Sequence, residues 1–272
     1  MEIRAVAGDV VTFVGDGLVV NLFERAGISA KGVGRDRMRR RPPLSGATAA
    51  VDAALGGAIT KLVRAEEATG KWGEQTLIHS LQRLPVERIL VMGLGKPEDL
   101  TPDRIRMVAA ESARALRKVG ARRIGTVVHG AGAGGVDPAH ATQAVVEGML
   151  LGLYRFTRYK TNNDHAKVVE RVTIVERDAT RLAVMKEAVR RGRILAEAAT
   201  AARDLVNEPG NALTPTELAR RAQAMARAAR VRCEVLGLRE LRRLGAGGLL
   251  GVARGSQEPP RLIVLTYRGR RG

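Results

Sequence analysis

Arg88-Ile89-Leu90-Val91-Met92-Gly93-Leu94-Gly95, followed closely by Thr101-Pro102-Asp103, is the passage whose reading decides the fold. A short, nearly unbroken apolar run closed by glycine suits a strand buried on both faces. Thr101 stands where an N-cap hydroxyl belongs, Pro102 at the first helical position and Asp103 beside the positive end of the helix dipole. A helix is therefore expected from there to about Val119, with Gly120 stopping it. A doubly buried strand leading straight into a helix is the unit from which parallel sheets are built.

The same alternation extends in both directions. Upstream, residues 2–7 and 10–14 read as short strands, Gly17-Leu18-Val19-Val20-Asn21-Leu22-Phe23 as a buried strand, 48–65 as a helix and 76–80 as a strand. Downstream, strand 124–128, helix 139–153 and strand 172–175 precede a long Ala- and Arg-rich helix over 179–206. A further α/β unit follows. Thr214-Pro215-Thr216-Glu217 repeats the cap-and-proline signature, then come a strand at 231–236, a short helix at 239–244 and a strand at 261–267. The expectation is an α/β protein with a mainly parallel sheet covered by helices on both faces.

Composition narrows the class. The 272 residues are 45% hydrophobic and only 3% aromatic, so the core is built from Ala, Val, Leu and Ile. No apolar run approaches the roughly 20 residues a bilayer span needs, and charges occupy the place of a signal peptide's apolar region. Cys233 is the only cysteine, which excludes an intrachain disulfide and a cysteine-based zinc cluster. A cytoplasmic address is expected.

Charge is the unusual feature: 46 Lys plus Arg against 28 Asp plus Glu, a formal +18. Most of it is spread along helical faces, as at Arg220, Arg221, Arg227 and Arg230, and reads as solvated surface. One loop concentrates it, Arg35-Asp36-Arg37-Met38-Arg39-Arg40-Arg41, and Arg37, Arg39, Arg40 and Arg41 are the candidate nucleic-acid contacts. The loop has no aromatic residue for base stacking, so such contacts would be directed at phosphates. The competing reading is that these arginines solubilise a long loop.

Other candidate sites are sparse. His79, His129, His140 and His165 lack metal-ligand spacing, and each reads as a surface or core histidine. His129-Gly130-Ala131-Gly132-Ala133-Gly134-Gly135 follows a strand and has backbone N–H groups to cradle a phosphate, but Val136-Asp137-Pro138 separate it from the next helix. It reads first as a flexible connection. Cys233 reads as a small buried hydrophobe.

Four segments, taken in order, carry a family resemblance. Ala47-Thr48-Ala49-Ala50-Val51-Asp52 through Gly57 resembles an N-terminal helix entry, and Glu147-Gly148 through Tyr154-Arg155-Phe156-Thr157-Arg158-Tyr159-Lys160-Thr161 resembles an "EG…LGxYxFxxYKT" junction. Ala201-Ala202-Arg203-Asp204-Leu205-Val206-Asn207-Glu208-Pro209-Gly210-Asn211-Ala212-Leu213-Thr214-Pro215 is similar to the opening of a catalytic domain. Gly245 to Ile263 is similar to a "GxLLGVxxGSxxPPRLI" passage. Together they resemble the leucine (cytosol) aminopeptidase family over essentially the whole chain.

The resemblance implies a macro-domain-like N-terminal domain over 1–160, a helical linker over 161–190 and the start of a dinuclear metallopeptidase domain over 191–272. It also implies two divalent metals, manganese or zinc, peptide substrates, a hexameric assembly and no membrane partner; DNA-binding regulators are known within the family. The family's metal ligands belong to "KGxxxDxGG" and "NTDAEGR" segments, and neither occurs in residues 1–272. Lys31 and Asp36 have the first motif's spacing, but Arg37-Met38 follow in place of its closing small residues, and the match is read as coincidence. No catalytic or metal-ligating residue is therefore assigned, and the chain is expected to be a truncated, catalytically incomplete piece. Three readings stand: an aminopeptidase fragment, a non-catalytic DNA- or nucleotide-binding module, and an assembly partner of an intact aminopeptidase.

Overall fold

The computed structural model describes residues 1–24, 44–130, 135–161 and 167–269. They form two compact units, Met1–Ala201 and Ala202–Gly272.

The first unit is built on six strands: β1 (Glu2–Ala7), β2 (Gly15–Leu22), β3 (Gln75–His79), β4 (Val86–Gly93), β5 (Arg123–Thr126) and β6 (Arg171–Glu176). Their order is β1-β6-β5-β2-β4-β3, and every pairing is parallel except β3 with β4. The mainly parallel α/β sheet expected from the sequence is thus present, with an antiparallel edge strand added. Residues 161–190 contain β6, which is hydrogen-bonded between β1 and β5.

Two-residue periodicity sends alternate side chains of each strand to opposite faces. Leu18, Val20, Leu22, Ile89 and Val91 join one core cluster with Val51 and Leu55, and with Ile59 and Val63. Val51 belongs to α1 (Gly46–Ala54), Leu55 caps its carboxyl end, and the second pair belongs to α2 (Ala58–Arg64). Val19, Leu90, Met92, Ile124 and Val172 join the other cluster, packed on α3 (Pro102–Lys118) and α4 (Pro138–Leu153). α3 begins as expected, with the Thr101 hydroxyl accepting from the Arg104 N–H at 3.2 Å. α3 and α4 approach closely because α4 presents Gly148 and Gly152. A Cβ at Gly148 would collide with the Arg106 carbonyl, and one at Gly152 would stand 2.7 Å from the Ala110 Cα.

Two local expectations are corrected, and one passage left open is filled. Residues 10–14 hold a single 3-10 turn, Val10–Thr12, in place of a strand. Asp9 captures the Val11 N–H at 3.1 Å, while its carbonyl accepts from the Thr12 hydroxyl at 2.9 Å. The helix expected over 48–65 is two helices, because Gly56 and Gly57 adopt φ of 66° and 79°, a left-handed conformation that interrupts the ladder. The glycine-rich passage near 245 contains a helix, α8 (Gly247–Ala253).

The long helix α5 (Leu182–Asn207) runs across the boundary between the units. The second unit then holds α6 (Pro215–Ala229), β7 (Arg232–Leu236), α7 (Leu238–Arg243), α8 and β8 (Leu262–Thr266). β7 and β8 pair antiparallel as a two-stranded sheet. Among its described residues only three hydrophobic side chains are buried, Ala219, Ala226 and Leu241.

Candidate functional site

Four parallel strands, β1, β2, β5 and β6, end on the same edge of the sheet, and a cleft of about 430 Å³ lies beyond those ends. After β2 the chain turns to α1 on one face; after β5 it turns to α4 on the other. The carboxyl ends of such a neighbouring pair leave a crevice by topology alone, and open α/β sheets bind their ligands there. Asn21, near the end of β2, and Phe23, just past it, line the cleft, with Val127, Val128 and Gly130 past β5, Gly8 and Asp9 past β1, Glu176 at the end of β6, and Arg177 and Arg181 beyond it. The first turn of α1, Ser45 to Thr48, also lines it.

The polar groups around this cleft are unevenly partnered. Asp9 accepts from the Val11 N–H, Glu176 accepts from the Asp178 N–H at 2.9 Å, and Arg181 pairs with Asp178 at 3.3 Å. The Asn21 carbonyl accepts from the Thr48 hydroxyl at 2.6 Å, tying β2 to α1. The Asn21 side-chain Oδ1 and both ring nitrogens of His129 are buried without a hydrogen-bond partner, the three such side-chain atoms among the described residues. Burial alone pushes the His129 pKa down to about 4, so the ring is neutral near pH 7.

The residues singled out in the sequence fall elsewhere. Arg37, Arg39, Arg40 and Arg41 lie outside the described residues, as do Lys31, Asp36, His165 and 131–134 of the glycine-rich connection. His79 is exposed on β3, and His140 is exposed in the first turn of α4 with Asp137 at 3.7 Å. Cys233 is half-buried in β7, less enclosed than its expected core position. Among the described residues no group of three His, Cys, Asp or Glu side chains could hold a metal ion. No described helix is long and apolar enough to cross a membrane.

Many of the helical arginines are spoken for locally. Arg190 and Arg191 hold Glu187, Arg193 holds Glu197, and Arg220 and Arg221 hold Glu217, all three or four residues apart. Hydrogen bonds from these arginines keep the Glu187 and Glu217 carboxyls at about 2. Such exposed pairs contribute little to stability, so they mainly neutralise the surface.

In the second unit the passage 201–215 makes a turn with an internal anchor. The Pro209 carbonyl accepts from the Ala212 and Leu213 N–H groups at 2.9 Å, and the Thr214 hydroxyl caps α6 through the Glu217 N–H at 3.2 Å. The side chain of Glu208 is fully buried and meets Arg221 at 3.0 Å, while Arg221 also holds Glu217 at 2.8 Å. A buried carboxylate needs such a partner, because taking the charge out of water costs several kcal/mol. The sequence reading missed this pair as well as Asn21 and the depth of His129. The one available signal was an asparagine inside the otherwise apolar Gly17–Phe23 run.

Comparison with known proteins gives a consistent result. Residues 38–163 match the model of the cytosol aminopeptidase family N-terminal domain, and residues 200–272 match that of the same family's catalytic domain. A probable cytosol aminopeptidase of Alkaliphilus metalliredigens is 40% identical over 221 residues, covering 80% of this chain and 44% of the relative. Among solved structures, the bottromycin maturation enzyme BotP in complex with Mn superposes with a TM-score of 0.69 at 29% identity, covering 94% of this chain and 46% of that one. A tomato leucine aminopeptidase mutant shares the fold with a TM-score of 0.81 at 21% identity, over 100% of this chain and 52% of that one. The chain spans about half the length of the curated relatives it matches.

Proposed function

The chain belongs to the cytosol (leucine) aminopeptidase family, and on that basis we propose that it serves the metal-dependent removal of N-terminal residues from peptides without performing that reaction by itself. The observation that carries this reading is the order of the two family matches: an N-terminal domain over 38–163, then a catalytic domain entered at 200 and followed to 272. Residues 1–160 take the part of a macro-like N-terminal domain, 161–190 of a linker, and 191–272 of the opening of the catalytic domain.

In the family two divalent ions, manganese or zinc, supply water activation and hold the substrate's free amine. The segments implied to ligate them, "KGxxxDxGG" and "NTDAEGR", are absent from residues 1–272, and the described side chains do not fit a metal ion. No catalytic step is therefore routed through the residues present. Peptide substrates, a cytoplasmic address and a hexameric assembly extend from the same membership.

The test is hydrolysis of leucine p-nitroanilide by the purified chain with added manganese, cobalt or zinc. The expected result is no turnover above a chelated control. Metal-dependent turnover that survives further purification would place a working centre within these 272 residues and end this reading. Reading the coding sequence beyond codon 272 distinguishes the alternatives: an "NTDAEGR" segment there favours the aminopeptidase, and its absence favours a binding module or an assembly partner.

A further inference from the structure

The carboxyl ends of α3 and α4 meet on the first unit. Arg117, in the last turn of α3, donates to the carbonyl of Leu153, the last residue of α4, at 3.1 Å. Cations at such a spot answer the negative ends of the helix dipoles, yet the cations here outnumber that role. Burial, and then the neighbouring guanidiniums of Arg155 and Arg114, push the Arg117 pKa down. On α5 and α6 arginines are interleaved with glutamates, as around Glu187 and Glu217. At the end of α3 only Arg114 has a carboxylate, that of Glu111. Arg117, Lys118, Arg155 and, further along the chain that leaves α4, Lys160 have no ion-pair partner among the described residues. Crowded like charges repel, and an anionic partner relieves the repulsion.

Aromatic rings stand beside these cations. The chain has three Tyr, three Phe and one Trp, and two of those Tyr and one Phe fall within residues 154–159. The segment leaving α4, Tyr154-Arg155-Phe156-Thr157-Arg158-Tyr159-Lys160, thus interleaves rings with cations, whereas the Arg35–Arg41 stretch has cations without rings. Arg155 and Lys160 are exposed, and Tyr159 is 55% exposed. Half-buried Phe156 braces Tyr159, with ring centroids 5.9 Å apart and planes tilted by 54°, within the tilted geometry that aromatic pairs prefer. The Lys160 N–H donates to the Thr157 carbonyl at 3.0 Å and closes the turn that carries Tyr159. A ring braced in this way loses little freedom when a flat group stacks on it.

We propose that the carboxyl ends of α3 and α4, with the Tyr154–Lys160 segment that leaves α4, bind single-stranded nucleic acid. Phosphates lie along Arg117, Lys118, Arg155 and Lys160, and an unpaired base stacks on Tyr159. The ring decides for a single strand, because in a duplex the bases already cover one another's faces. An acidic protein segment would use the cations but leave the ring without a partner. All of these residues belong to the first unit, so the assignment stands independently of the peptidase reading.

The experiment is fluorescence anisotropy of a labelled oligothymidylate of about twelve nucleotides, a length within single-strand site sizes, titrated with the full 272-residue chain. A duplex of the same length and a labelled polyglutamate are separate probes. Saturable binding of the single strand, tighter than that of polyglutamate, is expected. Tyr159→Ala should weaken it about fivefold or more, the size of one lost base stack, and leave duplex binding unchanged. Tyr159→Phe keeps the ring and should keep the affinity. Arg155→Ala/Lys160→Ala should weaken single-strand binding and flatten its log–log salt slope by about 0.7 per lost phosphate contact. Arg190→Ala/Arg191→Ala removes equal charge from α5 and should change neither. No saturable binding of the single strand overturns the proposal. So does an equal loss in both double variants, which would mean diffuse attraction to a +18 chain. Unchanged affinity in Tyr159→Ala, or the same loss in Tyr159→Phe, overturns it by removing the stacking contact. Polyglutamate bound as tightly as the oligonucleotide overturns it in favour of an acidic protein partner.

Discussion

Met1–Ala201 and Ala202–Gly272 are each α/β, yet they bury very different amounts of apolar surface. In the first, strands such as β2 and β4 are covered on both faces, and Leu18, Val19, Val20, Ile89 and Met92 are fully enclosed. In the second, three small or isolated hydrophobic residues are buried, while Val206, Val252 and Tyr267 are 84%, 89% and 78% exposed. Hydrophobic burial is the main stabilising contribution to folding, at about 25 cal/mol per Å², and a lone two-stranded sheet is marginal in water. Having strands and helices is therefore not the same as having a domain: the first unit has a core of its own, and the second has the elements of one with its apolar side chains in solvent.

The largest expected effect of this difference is in hydrogen exchange and proteolysis. Residues 1 to about 190, with β6 between β1 and β5, should behave as an autonomous domain. Residues 191–272, with the β8 edge unpaired, should exchange several kcal/mol more readily and be trimmed first, near 190–203 or after Arg239. Uniform protection along 191–272 would break the comparison. Matched truncations sharpen it. Ile89→Ala should cost about 2–5 kcal/mol in urea unfolding because it leaves a cavity in a closed core. Leu265→Ala, at a half-exposed position, should stay within about 0.5 kcal/mol. Similar costs at the two sites would mean the second unit is more tightly packed than its exposure indicates.

A third expectation concerns pH. The folded pKa of His129, about 4, lies below its ordinary 6.5, so between those values the unfolded chain binds the proton and the folded chain does not. Stability is then full above about pH 6.5 and falls as pH drops towards 4, by about 3 kcal/mol in all. The carboxyls of Glu187 and Glu217, held at about 2, lose their contribution only at lower pH. Melting curves from pH 7 to 4.5 should show this slope, and His129→Leu should flatten it. An unchanged slope would mean that His129 reaches a proton acceptor or solvent.

The smallest effect concerns charge. In both units arginines are paired along helices, whereas Arg37, Arg39, Arg40 and Arg41 are concentrated in one stretch. As a phosphate-directed contact, this stretch should respond to replacing Arg39, Arg40 and Arg41 with Ser. Duplex binding should weaken, and the log–log salt slope should flatten by about 0.9 per lost contact. Unchanged affinity and slope in that variant would assign these arginines to solubility alone.

The sequence by itself determined most of the elements and the family. Period-two apolar runs, the Thr101 and Thr214 caps with their prolines, and four ordered motifs depend on neighbours a few residues apart, and such local terms are written directly in the chain. Only the tertiary structure decided the rest. The strand order places β6 between β1 and β5, and the antiparallel pairing joins β7 to β8. The Glu208–Arg221 pair spans thirteen residues, and Asn21 and His129, more than a hundred residues apart, are left with unpartnered buried atoms near the ends of the neighbouring strands β2 and β5. These features depend on which distant segments meet and on what their meeting excludes from water. The same asparagine or histidine is unremarkable in a sequence and costly only once the surrounding sheet has closed over it.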